Sequence, residues 1–254
     1  GELYPDIPLA DGSGAIQIQN SLLQQTLKNC LPSVSDDETR YFLGGILFQN
    51  NDDKNINLVS TDGRRLNYNN IETWTDDKCF QDTIVDPLGL KIYSKLKKIE
   101  GYSSLYIKDK MSIVTDCKGF NLEIQCYVIE GQFPQYSRII SNDKDNKVTL
   151  NVKDLLKVSK KIKNFVDPRS KRAFFSIAMN NKLYLQTEEN LSIELEHGID
   201  LSNLQTGINI TYLIDVLTNT KNETIDIYLG DGSKPVYLMH DNGLTMIQPM
   251  SLTD

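Results

Sequence analysis

Lysines recur at helical spacing in two segments of this chain, residues 87–99 and 152–166, and lysine side chains bind phosphate groups. In each segment one stripe is cationic and a second stripe is apolar, as in a helix with one solvent face and one core face. The lysine stripes comprise Lys91, Lys95 and Lys98 in the first segment, and Lys153, Lys157, Lys160 and Lys161 in the second. The stripes predicted to face the core comprise Leu88, Ile92, Leu96 and Ile99, and Leu155, Val158, Ile162 and Phe165.

The charge of the chain is unevenly distributed. The net charge is −7, but these two segments hold nine lysines and one aspartate, a charge of +8, while the remaining 18 basic and 33 acidic residues give −15. An acidic body with two cationic helix faces suits a polyanion that is held there through its phosphates, without reading of base sequence. The alternative is that the lysines are only solvated and that the protein binds other proteins alone.

Two aspartates, Asp62 and Asp231, are candidate catalytic carboxylates of a hydrolase. Both lie in turn-forming sequences and neither has an identifiable partner group, so no arrangement of nucleophile, base and orienting residue emerges. A zinc site is not predicted, because the four cysteines lack paired short spacing and there are only two histidines. The sequence therefore predicts no catalytic residue, no metal and no cofactor.

The composition is that of a globular protein in water. The chain has 254 residues, of which 39% are hydrophobic and 24% charged, enough for about two domains. No apolar run approaches the ~20 residues of a membrane span, and the first residues show no secretory signal. These features predict a cytoplasmic location.

An internal repeat organises the chain. Four times, a short β-like run meets a helix-capping residue and then a helical stretch, with caps predicted at Asn20, Asp86, Asn151 and Thr211, which are 66, 65 and 60 residues apart. Each helix is followed by β-rich runs, so the predicted unit is β-α-β-β-β. Such units bury their apolar faces against neighbours and build modular, curved assemblies.

The predicted elements divide into two domains. Helices are predicted at Ser21–Leu31, 87–99, 152–166 and Tyr212–Thr218, and a strand is predicted to begin at Tyr41. The polar run 141–147 lacks apolar residues and is the best linker candidate. The predicted boundaries are therefore 16–140 and 141–254, with residues 1–15 as a preceding tail.

Four segments together resemble one family, the bacterial sliding clamp or beta subunit of DNA polymerase III: Leu58–Leu66, Glu130–Ile140, Asn209–Leu217 and Met246–Leu252. The resemblance implies an α+β fold of two DNA-clamp domains, each a pair of β-α-β-β-β repeats with helices on the inner face and sheets outside. These would be the second and third of three domains, with residues 1–15 as the tail of the first. Two complete protomers of the family form a ring around duplex DNA, and the present chain is expected to be a monomer.

The resemblance also implies a binding site for short hydrophobic peptides, between the two domains. Matching positions are Leu43, Thr61, Gly63, Arg64, Arg65, Leu66, Pro134, Arg138, Ile139, Ile247, Gln248, Pro249 and Met250. Two simpler interpretations stay open: Thr61–Leu66 as a tight hairpin turn, and Pro249 with Met250 as a strand end packed on the core. The chain departs from the common pattern at Arg64, Gln248 and Ser251, which leaves the preferred peptide open.

The same resemblance assigns the DNA-facing residues. Arg40, Tyr41 and Phe42 match a DNA-contacting loop, and the lysine stripes match the inner helices. Alternation along a strand would bury at least one of Tyr41 and Phe42. The implied function is a noncatalytic processivity factor whose partners are double-stranded DNA, polymerase subunits, the clamp loader and repair proteins.

Overall fold

Four β-α-β-β-β repeats follow one another along the chain, as the sequence predicts. The computed structural model describes residues 15–51, 54–74, 80–97, 99–141, 144, 146–177, 182–189, 191–195 and 204–251. Lys98, residues 1–14 of the predicted tail, and residues 142, 143 and 145 of the predicted linker lie outside the described residues.

The first two repeats contain ten strands and helices. The first comprises β1 (Ile16–Gln19), α1 (Asn20–Cys30), β2 (Ile46–Asn50), β3 (Asn55–Thr61) and β4 (Arg65–Glu72). The second comprises β5 (Thr83–Val85), α2 (Pro87–Ser94), β6 (Tyr102–Ile107), β7 (Lys110–Asp116) and β8 (Asn121–Ile129). Short 3-10 turns lie at Leu31–Ser33 and Glu38–Leu43.

The last two repeats have the same order. The third comprises β9 (Lys147–Asn151), α3 (Val152–Ile162), β10 (Arg172–Ile177), β11 (Leu183–Gln186) and β12 (Ser192–Leu195). The fourth comprises β13 (Gln205–Asn209), α4 (Ile210–Asn219), β14 (Thr224–Tyr228), β15 (Val236–His240) and β16 (Gly243–Ile247). Further 3-10 turns lie at Tyr136–Arg138 and Lys163–Phe165.

The chain divides into two compact units whose limits differ from the predicted domains. Residues up to Ser60 and Asn69–Phe133 form the first unit, while Thr61–Tyr68 and the residues from Pro134 form the second. The hairpin Thr61–Tyr68, which joins β3 to β4, belongs to the second unit because β4 lies beside β16 and the Asn67 side chain donates to the Thr245 hydroxyl. The division falls before Pro134 rather than after residue 140, since this segment bonds to the second unit: the Tyr237 hydroxyl donates to the Ile139 carbonyl.

Strand order repeats between the units. The first strand of each repeat pairs with strands of the other repeat. Strand β1 extends the strands of the second repeat in the order β1-β6-β7-β8, and β5 extends those of the first in the order β5-β2-β3-β4. The second unit has the equivalent orders β9-β14-β15-β16 and β13-β10-β11-β12. In the first unit the two sets of strands are joined by pairing of β5 with β8. In the second unit an isolated bridge between Gly207 of β13 and Met250, which follows β16, joins the equivalent sets. The repeat is therefore one of topology as well as of pattern.

Each unit has its own apolar core in which two helices pack on the strands. In the first unit Leu23 and Leu27 of α1 meet Leu90 and Tyr93 of α2 together with strand residues such as Phe48. In the second, the described core residues include Leu155 of α3, Leu213 of α4 and strand residues such as Phe175 and Leu238. No helix among the described residues is long and apolar enough to cross a membrane.

The helix starts confirm two of the four predicted caps and correct the others. Asp86 and Asn151 accept hydrogen bonds from the amides of Leu88 and Asp154, which are otherwise without helical acceptors. In the fourth repeat the cap is Asn209 rather than Thr211, because the Thr211 amide donates to the Asn209 side chain. Asn20 lies inside α1, and Gln19 precedes the helix without a side-chain bond.

Candidate nucleic-acid and peptide interfaces

Helix α3 carries the clearest cationic face. Lys153, Lys157, Lys160 and Lys161 are all exposed. Leu155 and Ile162 are buried beneath them, as the periodicity predicts. Lys160 and Lys161 lie in the last turn and Asp154 in the first, both favourable for the helix dipole. Phe165 is exposed, contrary to the prediction, because the α-helix ends at Ile162 and the backbone tightens into a 3-10 turn.

Helix α2 is shorter than predicted and presents a different face. Lys91 and Lys95 are exposed, but so are Leu88 (67%) and Ile92 (53%), which were predicted to face the core. The buried residues include Gly89, where a Cβ would lie 2.5 Å from the sulfur of Cys126. The absence of a side chain at Gly89 lets the helix approach β8 on that side, which turns Leu88 and Ile92 outward.

The turns of α2 are held in place from α1. The Gln24 amide group donates to the carbonyl oxygens of Tyr93 and Leu96 at 3.1 and 2.9 Å, which satisfies acceptors at the helix end. The Asn20 oxygen accepts from the hydroxyls of Tyr93 and Ser103. A buried polar network of this kind fixes the position of one helix against the other.

Arg40, Tyr41 and Phe42 lie in a 3-10 turn, and the following strand begins at Ile46 rather than at Tyr41. The strand alternation therefore does not apply to them: Tyr41 is 57% exposed and Phe42 is half-buried, so the expectation that one would be a core residue was wrong. Arg40 pairs with Asp37 at 2.8 Å. Hydrogen bonds from Thr39 and Arg40 lower the pKa of Asp37 to about 2.

The loop between β3 and β4 is a tight hairpin that Asp62 stabilises. The Asp62 carboxylate accepts hydrogen bonds from the amides of Arg64 and Arg65, and Gly63 takes a φ of 85° that favours glycine. Thr61 donates its hydroxyl to the Arg65 carbonyl at 2.6 Å. Asp62 thus serves the turn, as the simpler hairpin interpretation proposes.

The second catalytic candidate, Asp231, has the same role. Its carboxylate accepts from the amides of Ser233 and Lys234 and from the Ser233 hydroxyl, and these bonds lower its pKa. Both carboxylates therefore accept hydrogen bonds that stabilise their own turns. Among the residues that the structure describes, no group of three or more histidine, cysteine, aspartate or glutamate side chains is placed to hold a metal.

Arg65 is the most constrained charged residue at the hairpin. Its guanidinium pairs with Asp62 at 3.0 Å and with Asp215 of α4 at 2.7 Å, and lies over the ring of Tyr212 at 4.1 Å from the centroid. Burial, two ion pairs and a cation–π contact fix this side chain against α4. Sequence reasoning missed Tyr212 and Asp215, although their spacing of three on a predicted helix places them on one face.

Alternation along β4 and β16 places the predicted peptide residues on two opposite faces of these strands. Asn67 bonds to Thr245, so both point to the same side, and alternation places Leu66 and Met246 on the opposite side. Leu66 is almost fully buried there. Ile247 lies in the core cluster with no exposure, so it supports the site from within and offers no surface for a peptide. Met246, its neighbour on the other face, is also buried and was not among the predicted peptide residues.

The segment after Pro134 covers this opposite face. Tyr136 packs against Tyr68 with ring centroids 5.9 Å apart. Arg138 is exposed and Ile139 is 48% exposed. Pro134 is also exposed. The segment therefore presents the apolar side chains of Pro134 and Ile139 and the cationic side chain of Arg138 to solvent.

The carboxy-terminal tail ties the hairpin to β13. The Gln248 amide donates to the Arg64 carbonyl at 2.9 Å, and the Met250 amide donates to the Gly207 carbonyl at 2.8 Å. Pro249 and Met250 are half-buried and Gln248 is exposed. Arg172 donates to the Ser251 carbonyl at 2.7 Å. Backbone hydrogen bonds thus hold the tail on both sides of Pro249.

The second unit therefore contains all but one of the predicted peptide residues. Hairpin, covering segment and tail belong to this unit, whereas Leu43 belongs to the first unit and is buried there. Besides buried Leu66, the second unit contains exposed Ile139, half-buried Met250 and the exposed cations Arg64 and Arg138. Side chains of these types suit an extended peptide with apolar anchors.

Comparison with known proteins identifies relatives for both units. Residues 17–135 match the family described as the DNA polymerase III beta subunit, central domain. The beta sliding clamp of Chlamydia pneumoniae is 25% identical over 261 residues, covering 100% of this chain and 69% of the relative. That of Treponema pallidum is 25% identical over 246 residues, covering 93% and 65%. The chain thus spans about two thirds of these relatives.

The fold agrees with solved structures of the same group. A sliding clamp from Bartonella birtlesii, solved bound to griselimycin, aligns with a TM-score of 0.83 at 22% identity, covering 98% of this chain and 69% of that one. A Bacillus subtilis polymerase sliding clamp aligns with a TM-score of 0.84 at 18% identity, covering 98% and 67%. The predicted α+β clamp architecture is confirmed.

Proposed function

We propose that this chain is a bacterial sliding clamp, the beta subunit of DNA polymerase III, and that it acts as a noncatalytic processivity factor. It tethers polymerase subunits, the clamp loader and repair proteins to duplex DNA. In the complete protein, ring closure would replace tight binding with topological linkage, and the lysine contacts would stay weak enough for sliding.

One observation carries the tethering role: the tail of the second unit is bonded to both the hairpin and β13. The Gln248 and Met250 amides fix the tail beside Arg64 and Gly207. Half-buried Met250 and exposed Ile139 supply apolar anchors, and cations at Arg64 and Arg138 suit backbone carbonyl or carboxylate groups of a peptide.

The DNA role is supported by the exposed lysines of α3, by Lys91 of α2 and by Lys95, which follows α2 as its C-cap. Both helices bury residues on another face. Lysine ammonium groups bind phosphates as point charges, and contacts to phosphate carry no direct information about base sequence. The predicted contact is therefore sequence-independent.

A peptide titration tests the tethering role. A fluorescein-labelled hydrophobic peptide, Ser-Leu-Ser-Leu-Phe, should bind the chain, and Met250→Ala or Ile139→Ser should weaken binding by more than about 1 kcal/mol, as expected for anchor contacts. Leu191→Ser, which changes an exposed apolar residue outside the site, is the matched control. Leu66→Ala is less informative because Leu66 is buried and its truncation also lowers stability.

The result that contradicts the proposal is equal affinity in the wild type, Met250→Ala and Ile139→Ser proteins. Peptide binding without any affinity for duplex DNA would instead support the adaptor that binds proteins alone. Nuclease or phosphatase activity that disappears in Asp62→Asn or Asp231→Asn would support the hydrolase alternative.

A further inference from the structure

A cavity in the second unit lies outside the predicted peptide positions. Its volume is about 180 Å³, and its walls include Tyr228, Pro235 and Tyr237 together with the backbone at Leu229 and Gly230. For comparison, an apolar cavity of about 150 Å³ can hold a benzene molecule. This cavity has room for an amino-acid side chain.

The floor of the cavity is built rigidly. A Cβ at Gly230 would collide with the backbone carbonyl of Lys234, so only glycine allows this close approach of two backbone segments. The Asn146 side chain donates to the Leu229 carbonyl at 2.9 Å, and Asn146 itself has a φ of 59°. Asparagine tolerates that conformation better than most residues. The shape of the cavity is therefore fixed by local backbone bonds.

Among the described residues that line the cavity, two are lysines and one is an aspartate. Lys144 and Lys234 both line it, and the Lys144 ammonium lies 5.3 Å from the centroid of the Tyr237 ring. Asp231, a carboxylate among the described lining residues, accepts hydrogen bonds within its own turn, from Ser233 and the Lys234 amide, and also interacts electrostatically with Lys234. An incoming carboxylate thus meets two lysines beside tyrosine and proline surfaces that suit a methylene chain.

The cavity is continuous with the covering segment of the peptide site through Tyr237. The Tyr237 hydroxyl donates to the Ile139 carbonyl at 3.4 Å and accepts from the Ser141 amide at 3.1 Å. Ile139 is an exposed residue of the predicted peptide site, and Ser141 lines the cavity. A peptide held at Ile139 therefore has the cavity within reach of a flanking residue.

We propose that this cavity is an accessory subsite that takes an acidic side chain flanking the apolar anchors of a partner peptide. The methylene groups pack on Tyr237 and Pro235, and the carboxylate faces Lys144 and Lys234. This inference rests on the proposed peptide-binding function and adds a charge preference to it. Partners with an acidic residue beside the hydrophobic motif are then bound more tightly than partners without one.

Five peptides test the subsite. The labelled peptide Ser-Leu-Ser-Leu-Phe is compared with versions that carry three glutamates or three glutamines at either end. One of the glutamate versions should bind about two- to fivefold more tightly than its glutamine counterpart, the range of partly exposed charge pairs. The gain should shrink as salt increases.

Charge-removing variants locate the effect. Lys144→Gln with Lys234→Gln should abolish the glutamate advantage while leaving the affinity of the unextended peptide unchanged. Lys221→Gln, which removes the same charge from an exposed residue that does not line the cavity, should preserve the advantage. Circular dichroism melts confirm that the variants are folded.

The outcomes separate this inference from the function on which it rests. If the unextended peptide binds and the glutamate and glutamine versions bind equally, the subsite is refuted and the peptide site stands. A glutamate advantage that survives in the double variant also refutes the subsite. If none of the peptides binds, the proposed peptide-binding function is refuted, and the subsite with it.

Discussion

Gly207 offers a way to detach the carboxy-terminal tail without altering any predicted peptide residue. A Cβ at this position would lie 2.9 Å from the Met250 carbonyl oxygen and 3.3 Å from a ring carbon of Phe174. The first distance is too short for a carbon–oxygen contact, so the tail must move away in Gly207→Ala. The hydrogen bond from the Met250 amide to the Gly207 carbonyl should then break.

The expected energies follow from these contacts. Loss of one backbone hydrogen bond costs about 1 kcal/mol, and overpacking costs about 1 to 3 kcal/mol where the structure cannot relax. Because the tail can move, we expect a loss of about 1 to 2 kcal/mol in the free energy of unfolding. Pro249 and Met250 move with the tail, so peptide affinity should fall about fivefold or more.

Hydrogen exchange and a double-mutant cycle measure the effect. The Met250 amide should lose protection in Gly207→Ala, and urea unfolding followed by far-ultraviolet circular dichroism should give the stability change. If Gly207→Ala weakens peptide binding by displacing the tail, Met250→Ala should add little further loss of affinity in the Gly207→Ala protein. Unchanged protection at Met250 together with full peptide affinity would refute the reasoning, and fully additive effects would show that Gly207 acts elsewhere.

Three further predictions concern charge, capping and pH. In Lys157→Glu with Lys161→Glu, the dependence of DNA affinity on salt, measured by fluorescence polarisation, should lose about 0.9 in log–log slope for each phosphate contact removed; an unchanged slope would show that α3 does not contact DNA. Asp86→Ala should lower the unfolding free energy by about 1 kcal/mol through loss of the bond to the Leu88 amide, whereas Asp86→Asn should preserve most of it in urea titrations. Burial lowers the pKa of His240 from 6.5 to about 4, so between these pH values the unfolded chain binds more protons than the folded chain. The free energy of unfolding should therefore fall by up to about 3 kcal/mol as the pH decreases from 6.5 to 4. His240→Gln should remove this pH dependence.

Periodicity predicted the elements well where one helix face alone decides burial. In α3 the lysine stripe and buried Leu155 and Ile162 follow the sequence pattern, and the Asn151 cap is in place. In α2 the same pattern led to the wrong buried face. The competing cause is Gly89, whose close approach to Cys126 depends on a strand more than thirty residues later and leaves no periodic signal.

Local backbone geometry explains the other differences. Tyr41 and Phe42 read as part of a β-rich run, but Asp37 caps a 3-10 turn there by accepting from the Thr39 amide. The placement of Met246 and Ile247 needed the strand register, since a shift of one residue exchanges the two faces. That register is set by pairing of β15 with β16, where Val236 lies opposite Ile247. Sequence alone named candidate peptide segments but could not tell their buried residues from their exposed ones.

The hairpin Thr61–Tyr68 connects these points, because its alternate residues attach to different parts of the second unit. On one side Arg65 and Asn67 bond to Asp215 and Thr245, and on the other Tyr68 packs on Tyr136. By chain order the hairpin belongs to the first repeat, yet these contacts place it in the second unit. The geometry of the candidate peptide site is therefore set by the hairpin, the covering segment and the tail of one unit. Variation in that unit, at Arg64, Gln248 and Ser251, is where differences in peptide preference should arise.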